Sequence, residues 1–354
     1  MIQKIIKSAV INFWYGRSRF VLGAAFLLSP LAWIYRGVIY FRSLRFCKTF
    51  SKKSSVPCIV IGNITLGGTG KTPMVLYLIK LLQKEGFKPG VVSRGYGGKS
   101  NFYPLDLQSN LSSNLSPKEI GDEPYLIFKK TGVPVVVSPN RLEAQNFLLA
   151  KHPEINMVLS DDGLSHQAMP RDIEIVMVDG LRKFGNGYCL PIGPLREPIS
   201  RLNRVDFVVI TGGNGRTQGS PLQDFNFGMT LVPKKIISLQ DPCIYLNISD
   251  WVGRKINLIS GIGNPERFEN LIKQMGLIIN SHKIFPDHHD FCPEDLIFKN
   301  NLYPILMTEK DAVKCQNFKI NNTWFLEVEP QCSEDFEKDF LNKLKTICNH
   351  YLEI

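Results

Sequence analysis

Residues 56–72, VPCIVIGNITLGGTGKT, join a short apolar run to a glycine-rich stretch that ends in Lys71 and Thr72. Few structures suit such a segment. Glycines let successive backbone N–H groups face phosphate oxygens, and a helix that follows offers the anion its positive end. The spacing predicts a strand over 56–62, a loop, and a helix from about Thr72 to Glu85 closed by Gly86. Pro73 falls in the first turn, where a missing N–H costs little. In this reading Gly67, Gly68, Thr69 and Gly70 cradle phosphates, Lys71 reaches the β and γ positions, and the Thr72 hydroxyl serves Mg²⁺. The chain therefore binds a nucleoside triphosphate and hydrolyses it or transfers its phosphate. One departure stands out: the first glycine of G-x-x-x-x-G-K-[ST] would be position 65, which is Thr65.

The rest of the chain repeats the alternation. Apolar runs at 90–93, 133–137, 155–160, 173–178 and 205–210 are separated by helical stretches near 121–131 and 139–150. Continuous apolar strands alternating with helices indicate parallel sheets covered on both faces. The glycine- and polar-rich stretch 212–225 reads as an exposed loop. A second α/β pattern follows, with strands near 256–263, 277–285, 302–308 and 323–329 and a final helix. The expected architecture is an α/β fold of P-loop NTPase type, with two α/β/α lobes built on mainly parallel sheets. The expected segments are 1–55 (basic and hydrophobic), 56–215 (nucleotide-binding lobe), 216–250 (linker) and 251–354 (second lobe).

Charge is unevenly placed. The chain carries +10 overall, but residues 1–55 contain ten basic side chains and no acidic one, which leaves 32 of each sign elsewhere. A neutral body argues against nucleic acid as a partner. The eight cysteines are widely separated with no C-x-x-C pair, so reduced and mostly buried thiols are expected rather than a zinc site or a disulfide framework. Within the basic segment, Phe20 to Tyr35 runs without a charge, with Trp14, Tyr15, Trp33 and Tyr35 near its ends. A cleaved signal peptide would need a small-x-small site that is missing, and a buried helix fits the length alone. A membrane anchor or interfacial helix fits best, because basic and aromatic residues flank the run, so an N-terminal hydrophobic membrane-associated helix is expected. Whether it spans or lies flat stays open.

Several residues could carry chemistry. A P-loop enzyme needs a carboxylate after a neighbouring strand to hold magnesium. Asp161 and Asp162, which follow the apolar run 155–160, supply that, or form an ordinary Asp-Gly turn. Asp122 in GDEP reads as a possible helix N-cap as readily as a reactive carboxylate. FPDHHDF brings Asp287, His288 and His289 together, either for chemistry or as an exposed polar turn. Arg94, Tyr96, Arg141, His166, Arg196 and Glu197 complete the candidates, the arginines being suited to phosphate.

Taken in order, VIGNITLGGTGKTP, VVSRGYGG, GDEP, DDGLSHQ, PIGPLREP, SGIGNPERF, FPDHHDF and MTEKDAVK resemble the tetraacyldisaccharide 4′-kinase (lipid A 4′-kinase) family from residue 60 to about 314. That family's own loop also lacks the first glycine. The resemblance implies two α/β/α lobes with the active site in the cleft between them. The implied reaction moves the γ-phosphate of ATP to the 4′-hydroxyl of a tetraacylated glucosamine disaccharide 1-phosphate. Lys71 and Thr72 are then the loop residues on phosphate and magnesium, with Asp162 (or Asp161) and Glu197 as further metal-side carboxylates. Asp122 is the implied general base, paired with His288 or His289. Arg141 and Arg196 are placed on phosphate, and Arg94, Tyr96 and His166 on the acceptor. DDGLSHQ has Leu164 and Ser165 where an aromatic residue and Gln are expected, which weakens the role of His166. The implied location is the cytoplasmic face of the inner membrane, reached through the N-terminal segment. Two rivals share the loop: a P-loop kinase or ATPase on another membrane-associated substrate, and a nucleotide-dependent membrane switch without transfer chemistry.

Overall fold

A computed structural model describes residues 10, 12–16, 28–39, 41, 54–100, 102–109, 116–166, 168–212, 227–299 and 302–352. The first half of the apolar run 20–35 and most of the loop 212–225 lie outside these residues. The chain forms two compact units that interleave along the sequence. One comprises Met1–Lys71, Met157–Met229 and Cys332–Ile354, and the other Thr72–Asn156 and Thr230–Gln331. This division differs from the linear one expected above, because strands that follow one another in the chain do not all pair locally.

In the first unit, the strand Cys58–Gly62 is flanked by Met157–Asp161 on one side and Ile173–Asp179 on the other, both parallel to it. Phe207–Thr211 pairs in parallel with Ile173–Asp179. All four strands are fully buried, as expected of parallel strands covered on both faces. The C-terminal helix Glu334–Leu352 belongs here. Its Phe336, Phe340 and Leu344 recur at four-residue spacing, one stripe of a helix, and all three are buried. Phe336 and Phe340 pack their rings on Phe207 and Phe227.

In the second unit, Pro89–Ser93 pairs in parallel with Val135–Val137. Ile278–Ile284, Lys255–Ser260, Ile305–Thr308 and Thr323–Cys332 follow one another as a parallel set. The region read as a linker contains a twelve-residue strand, Phe227–Ser238. Its burial alternates irregularly and it includes Pro233, Lys234 and Lys235, so it lacks the continuous apolar signature of the central strands. The part after Thr230 contains two hydrophobic clusters. One is centred on Trp251, Ile256, Leu258 and Phe268, the other on Ile259, Phe291, Met307 and Cys315. Among the described cysteines none is paired, but Cys243 and Cys292 are exposed, so burial holds for only some of them.

Candidate active site

The glycine-rich loop lies where its sequence places it, between the buried strand Cys58–Gly62 and the helix Lys71–Lys84. Gly67 and Gly70 adopt φ of +104° and +91°, conformations that L side chains rarely hold. At Gly70 space is short as well, since a Cβ there would lie 2.8 Å from the Thr211 hydroxyl. That hydroxyl donates to the Thr69 carbonyl at 2.7 Å and ties the loop to the strand Phe207–Thr211. Asn63 does the same from inside the loop. Its amide donates to the carbonyls of Thr65 (2.7 Å) and Gly67 (3.3 Å), while its oxygen accepts from the Lys71 ammonium at 3.2 Å. Thr65, at the position of the missing glycine, bridges to Leu195, so the loop runs alongside the PLREP segment.

Asp162 and Glu197 of this unit lie beside cations. Asp162 follows its strand at φ +51°, and its carboxylate lies 3.6 Å from Lys71 and 3.5 Å from Arg196. Asp161, one residue earlier, ends the strand and is 2% exposed. Glu197 lies 3.3 Å from Arg201, which also binds both oxygens of Glu174 at 2.7 Å. Burial pushes the Glu197 carboxyl up, and it stays raised against the pull of Arg201. Among the described residues no three or more His, Cys, Asp or Glu side chains gather into a metal cage.

The second unit contains a separate ionisable cluster. Helix Asp122–Thr131 begins at Asp122 with Gly121 as its cap, so the N-cap alternative for Asp122 does not apply. Gly121 sits at φ +95°, where a Cβ would come within 2.9 Å of the Tyr96 carbonyl. The Asp122 side chain instead receives His288, whose Nδ1 is 3.1 Å from Oδ2. Lys314 lies 3.6 Å from the same oxygen and 3.1 Å from Asp311. Lys310 donates to Glu123 at 2.9 Å and to Asp287 at 3.3 Å, and is 3.5 Å from His288 Nε2. Burial alone would push the Asp122 carboxyl up. The hydrogen bond from His288 and the charges of Lys314 and Lys310 outweigh that, so its pKa is lowered. Burial likewise works against the Lys310 charge, but Glu123 and Asp287 win and its pKa is raised. The result is a desolvated carboxylate, ionised at neutral pH and hydrogen-bonded to an imidazole.

The two adjacent histidines part company. His288 adopts φ +59° and turns to Asp122, whereas His289 Nε2 bonds Asp295 Oδ2 at 2.9 Å and its ring stacks on Phe285. The left-handed residue reverses the chain between them, so neighbours in sequence face different partners. Tyr96 is 62% exposed, with its ring edge-on to His288 at 5.0 Å, and Arg94 is exposed just after the strand Pro89–Ser93. Arg141, expected on phosphate, is 1% exposed at the start of helix Arg141–Lys151, and its Nη1 donates to the Ser138 carbonyl at 3.1 Å. His166 is half-buried and its carbonyl accepts from Arg171. Thr72 is half-buried in the first turn of its helix. Sequence reasoning missed Asn63, Glu123, Lys310 and Lys314. The two lysines carried a usable signal, since four-residue spacing on a helix puts both on one face.

Known proteins resemble this chain over most of its length. Residues 24–345 match the family described as tetraacyldisaccharide-1-P 4′-kinase. The tetraacyldisaccharide 4′-kinase of Methylobacillus flagellatus is 41% identical over 334 residues, covering 94% of each chain. That of Psychromonas ingrahamii is 43% identical over 337 residues, covering 95% of this chain and 99% of its own. A crystal structure of the "apo" form of LpxK from Aquifex aeolicus in complex with ATP superposes with a TM-score of 0.71 at 28% identity. It covers 89% of this chain and 98% of that one.

Proposed function

The chain belongs to the tetraacyldisaccharide-1-P 4′-kinase family, and from that premise we propose how its residues share the work. The protein is an ATP-dependent kinase that phosphorylates the 4′ position of a tetraacylated glucosamine disaccharide 1-phosphate. Phosphoryl transfer is catalysed mainly by positioning and charge neutralisation. Backbone N–H groups of Gly67 to Gly70 hold the β- and γ-phosphates, Lys71 neutralises them, and Arg196 adds a second cation. Arg141, buried as it is, acts on phosphate through the backbone it braces at Ser138.

The donors available for magnesium are hard oxygens: the Thr72 hydroxyl, Asp162 or Asp161, and Glu197. That set fits Mg²⁺, which is usually bound through one or two carboxylates together with water and phosphate oxygens. When bound, the ion would offset negative charge on the phosphates. The half-exposed Asp162, within reach of Lys71 and Arg196, is the better placed of the aspartates for it.

Asp122 takes the proton of the 4′-hydroxyl as the γ-phosphate arrives, and His288 orients the carboxylate. A general base of this kind is worth about 10²- to 10⁴-fold. Tyr96, beside His288, and Arg94 face the acceptor, with His166 as a further contact. The single observation that supports the assignment is the 3.1 Å contact of Asp122 with His288. The test is transfer of labelled γ-phosphate from ATP to the lipid disaccharide in detergent by the full chain. Lys71→Ala and Asp122→Ala should each abolish transfer while the fold persists. Near-wild-type turnover in Asp122→Ala removes it from the base role.

Membrane association is part of the proposal. Residues 28–39 are helical, and Leu31, Ile34 and Val38, with Phe41 beyond, are each more than half exposed. Their spacing of three and four residues makes one apolar stripe. Among the described residues no helix is long and apolar enough to cross a membrane. An interfacial helix at the cytoplasmic face of the inner membrane, where basic flanks meet anionic lipid, accounts for both features.

A further inference from the structure

The helix Glu309–Cys315 takes no part in the reaction as described so far, yet it aims two half-buried cations at the Asp122–His288 pair. Its start is fixed by Thr308, whose hydroxyl accepts from the Asp311 N–H and donates to the Asp311 carboxylate at 2.6 Å. Asp311 is 0% exposed and also receives the Gly261 N–H at 2.9 Å, so this turn of helix is bound on two sides. From it, Lys314 reaches Asp311 and Asp122 and lies 4.9 Å above the Phe291 ring. One turn earlier, Lys310 reaches Glu123, Asp287 and His288 Nε2.

We propose that Lys310 and Lys314 are positioning residues for the phosphoryl transfer, Lys314 holding Asp122 as an oriented carboxylate and Lys310 holding His288 with its proton on Nδ1. This rests on the reading of Asp122 as the base. The two contacts are complementary. An ammonium can only donate, so Lys310 beside Nε2 leaves that nitrogen to accept and assigns the ring proton to Nδ1, which faces Asp122. His288 and Lys314 both address Oδ2, so Oδ1 is the oxygen that takes the hydroxyl proton. That proton passes to Asp122, the sugar oxygen forms its bond to the γ-phosphorus, and the bond from that phosphorus to the ADP oxygen breaks. Six groups set the charge around Asp122: His288 and Asp287 from the turn after the strand Ile278–Ile284, Lys310, Asp311 and Lys314 from this helix, and Glu123 from its own helix. Lys310 is engaged by Glu123 and Asp287 and Lys314 by Asp311, but only Lys314 lies against the base itself, 3.6 Å from Asp122 Oδ2.

The test is the pH dependence of single-turnover transfer by the full-length enzyme with saturating ATP. Lys314→Met should move the acid limb upward by about 1 pH unit, the loss expected when a carboxylate gives up a cation within 4–6 Å. The KM for ATP should change little, and Lys314→Arg should restore the limb. Lys310→Met should move it less. An imidazole ¹⁵N spectrum of His288 should show the proton on Nδ1 in the wild-type protein and a tautomer mixture in Lys310→Met. An unmoved acid limb in a folded Lys314→Met overturns the role of Lys314. A wild-type His288 carrying its proton on Nε2 overturns that of Lys310, and this measurement needs no variant to fold. Full activity in Asp122→Asn, by contrast, removes the base reading itself and is distinguishable from either.

Discussion

His288 Nδ1 lies 3.1 Å from Asp122 Oδ2, a contact between residues 166 positions apart in the chain. It forms because two local devices converge, the cap glycine that starts the helix at Asp122 and the left-handed conformation at His288. His288→Ala should lower kcat by about 10²-fold, the lower end of what a general base contributes, because the carboxylate remains but loses its orientation. His289→Ala should spare kcat and instead lower the Tm, since His289 serves Asp295 and the Phe285 stack. Parallel kinetics and thermal melts on the two variants check both expectations.

The Asp122 carboxyl has a depressed folded-state pKa, which fixes the sign of its pH dependence. A depressed carboxyl contributes stability above its unfolded value near 3.8, and that contribution is lost as pH falls through the lower folded value. The stability gap between wild type and Asp122→Asn should therefore be constant near neutrality and close in acid below 3.8. Urea unfolding at a series of pH values measures it. A gap that closes already above pH 5 contradicts the sign.

Gly70→Ala should weaken ATP binding more than it weakens the fold. The backbone is at φ +91° and the new Cβ would press on the Thr211 hydroxyl that ties the loop in place. Strain of this type costs about 1–3 kcal/mol. Relief by shifting the loop would misdirect the N–H groups that meet phosphate. Calorimetric titration with ATP beside a thermal melt separates the two effects.

Glu174 joins Arg171 (2.6 Å) and Arg201 (2.7 Å), with side chains between 10% and 18% exposed. Removing one partner of a buried ionic group leaves the others uncompensated, at a cost of about 3–5 kcal/mol. Glu174→Ala should lose stability on that scale in urea. It should also impair transfer, because Arg201 braces Glu197.

Val38→Asp and Phe41→Asp should reduce sedimentation of the full chain with anionic vesicles while leaving ATP binding intact. Each removes an exposed apolar side chain whose burial in lipid is worth about 1.5–3 kcal/mol. Unchanged sedimentation in the double variant would move the membrane contact elsewhere.

Much of this protein was legible in its sequence because the relevant physics is local. A phosphate loop needs glycines, a lysine and a hydroxyl in fixed succession, and the loop from Asn63 to Thr72 lies between its strand and helix as read. Buried parallel strands need continuous apolar runs, so most of them could be found by eye, whereas Phe227–Ser238, with its charges and proline, could not. The ordered motifs carried the family, which the relatives bear out.

Tertiary structure decided what depends on direction. Sequence alone left His288 and His289 equal, and one left-handed residue sends the first to Asp122 and the second to Asp295. It left Asp122 between helix cap and reactive carboxylate, and the cap proved to be Gly121. The resemblance implied a phosphate role for Arg141, and only the fold shows that its side chain is buried with Nη1 on the Ser138 carbonyl. Sequence alone did not single out Lys310 and Lys314, whose shared helical face packing turns toward Asp122 and His288. Residue type and spacing specify which groups a chain possesses, while their partners across 166 residues depend on how helices and strands pack.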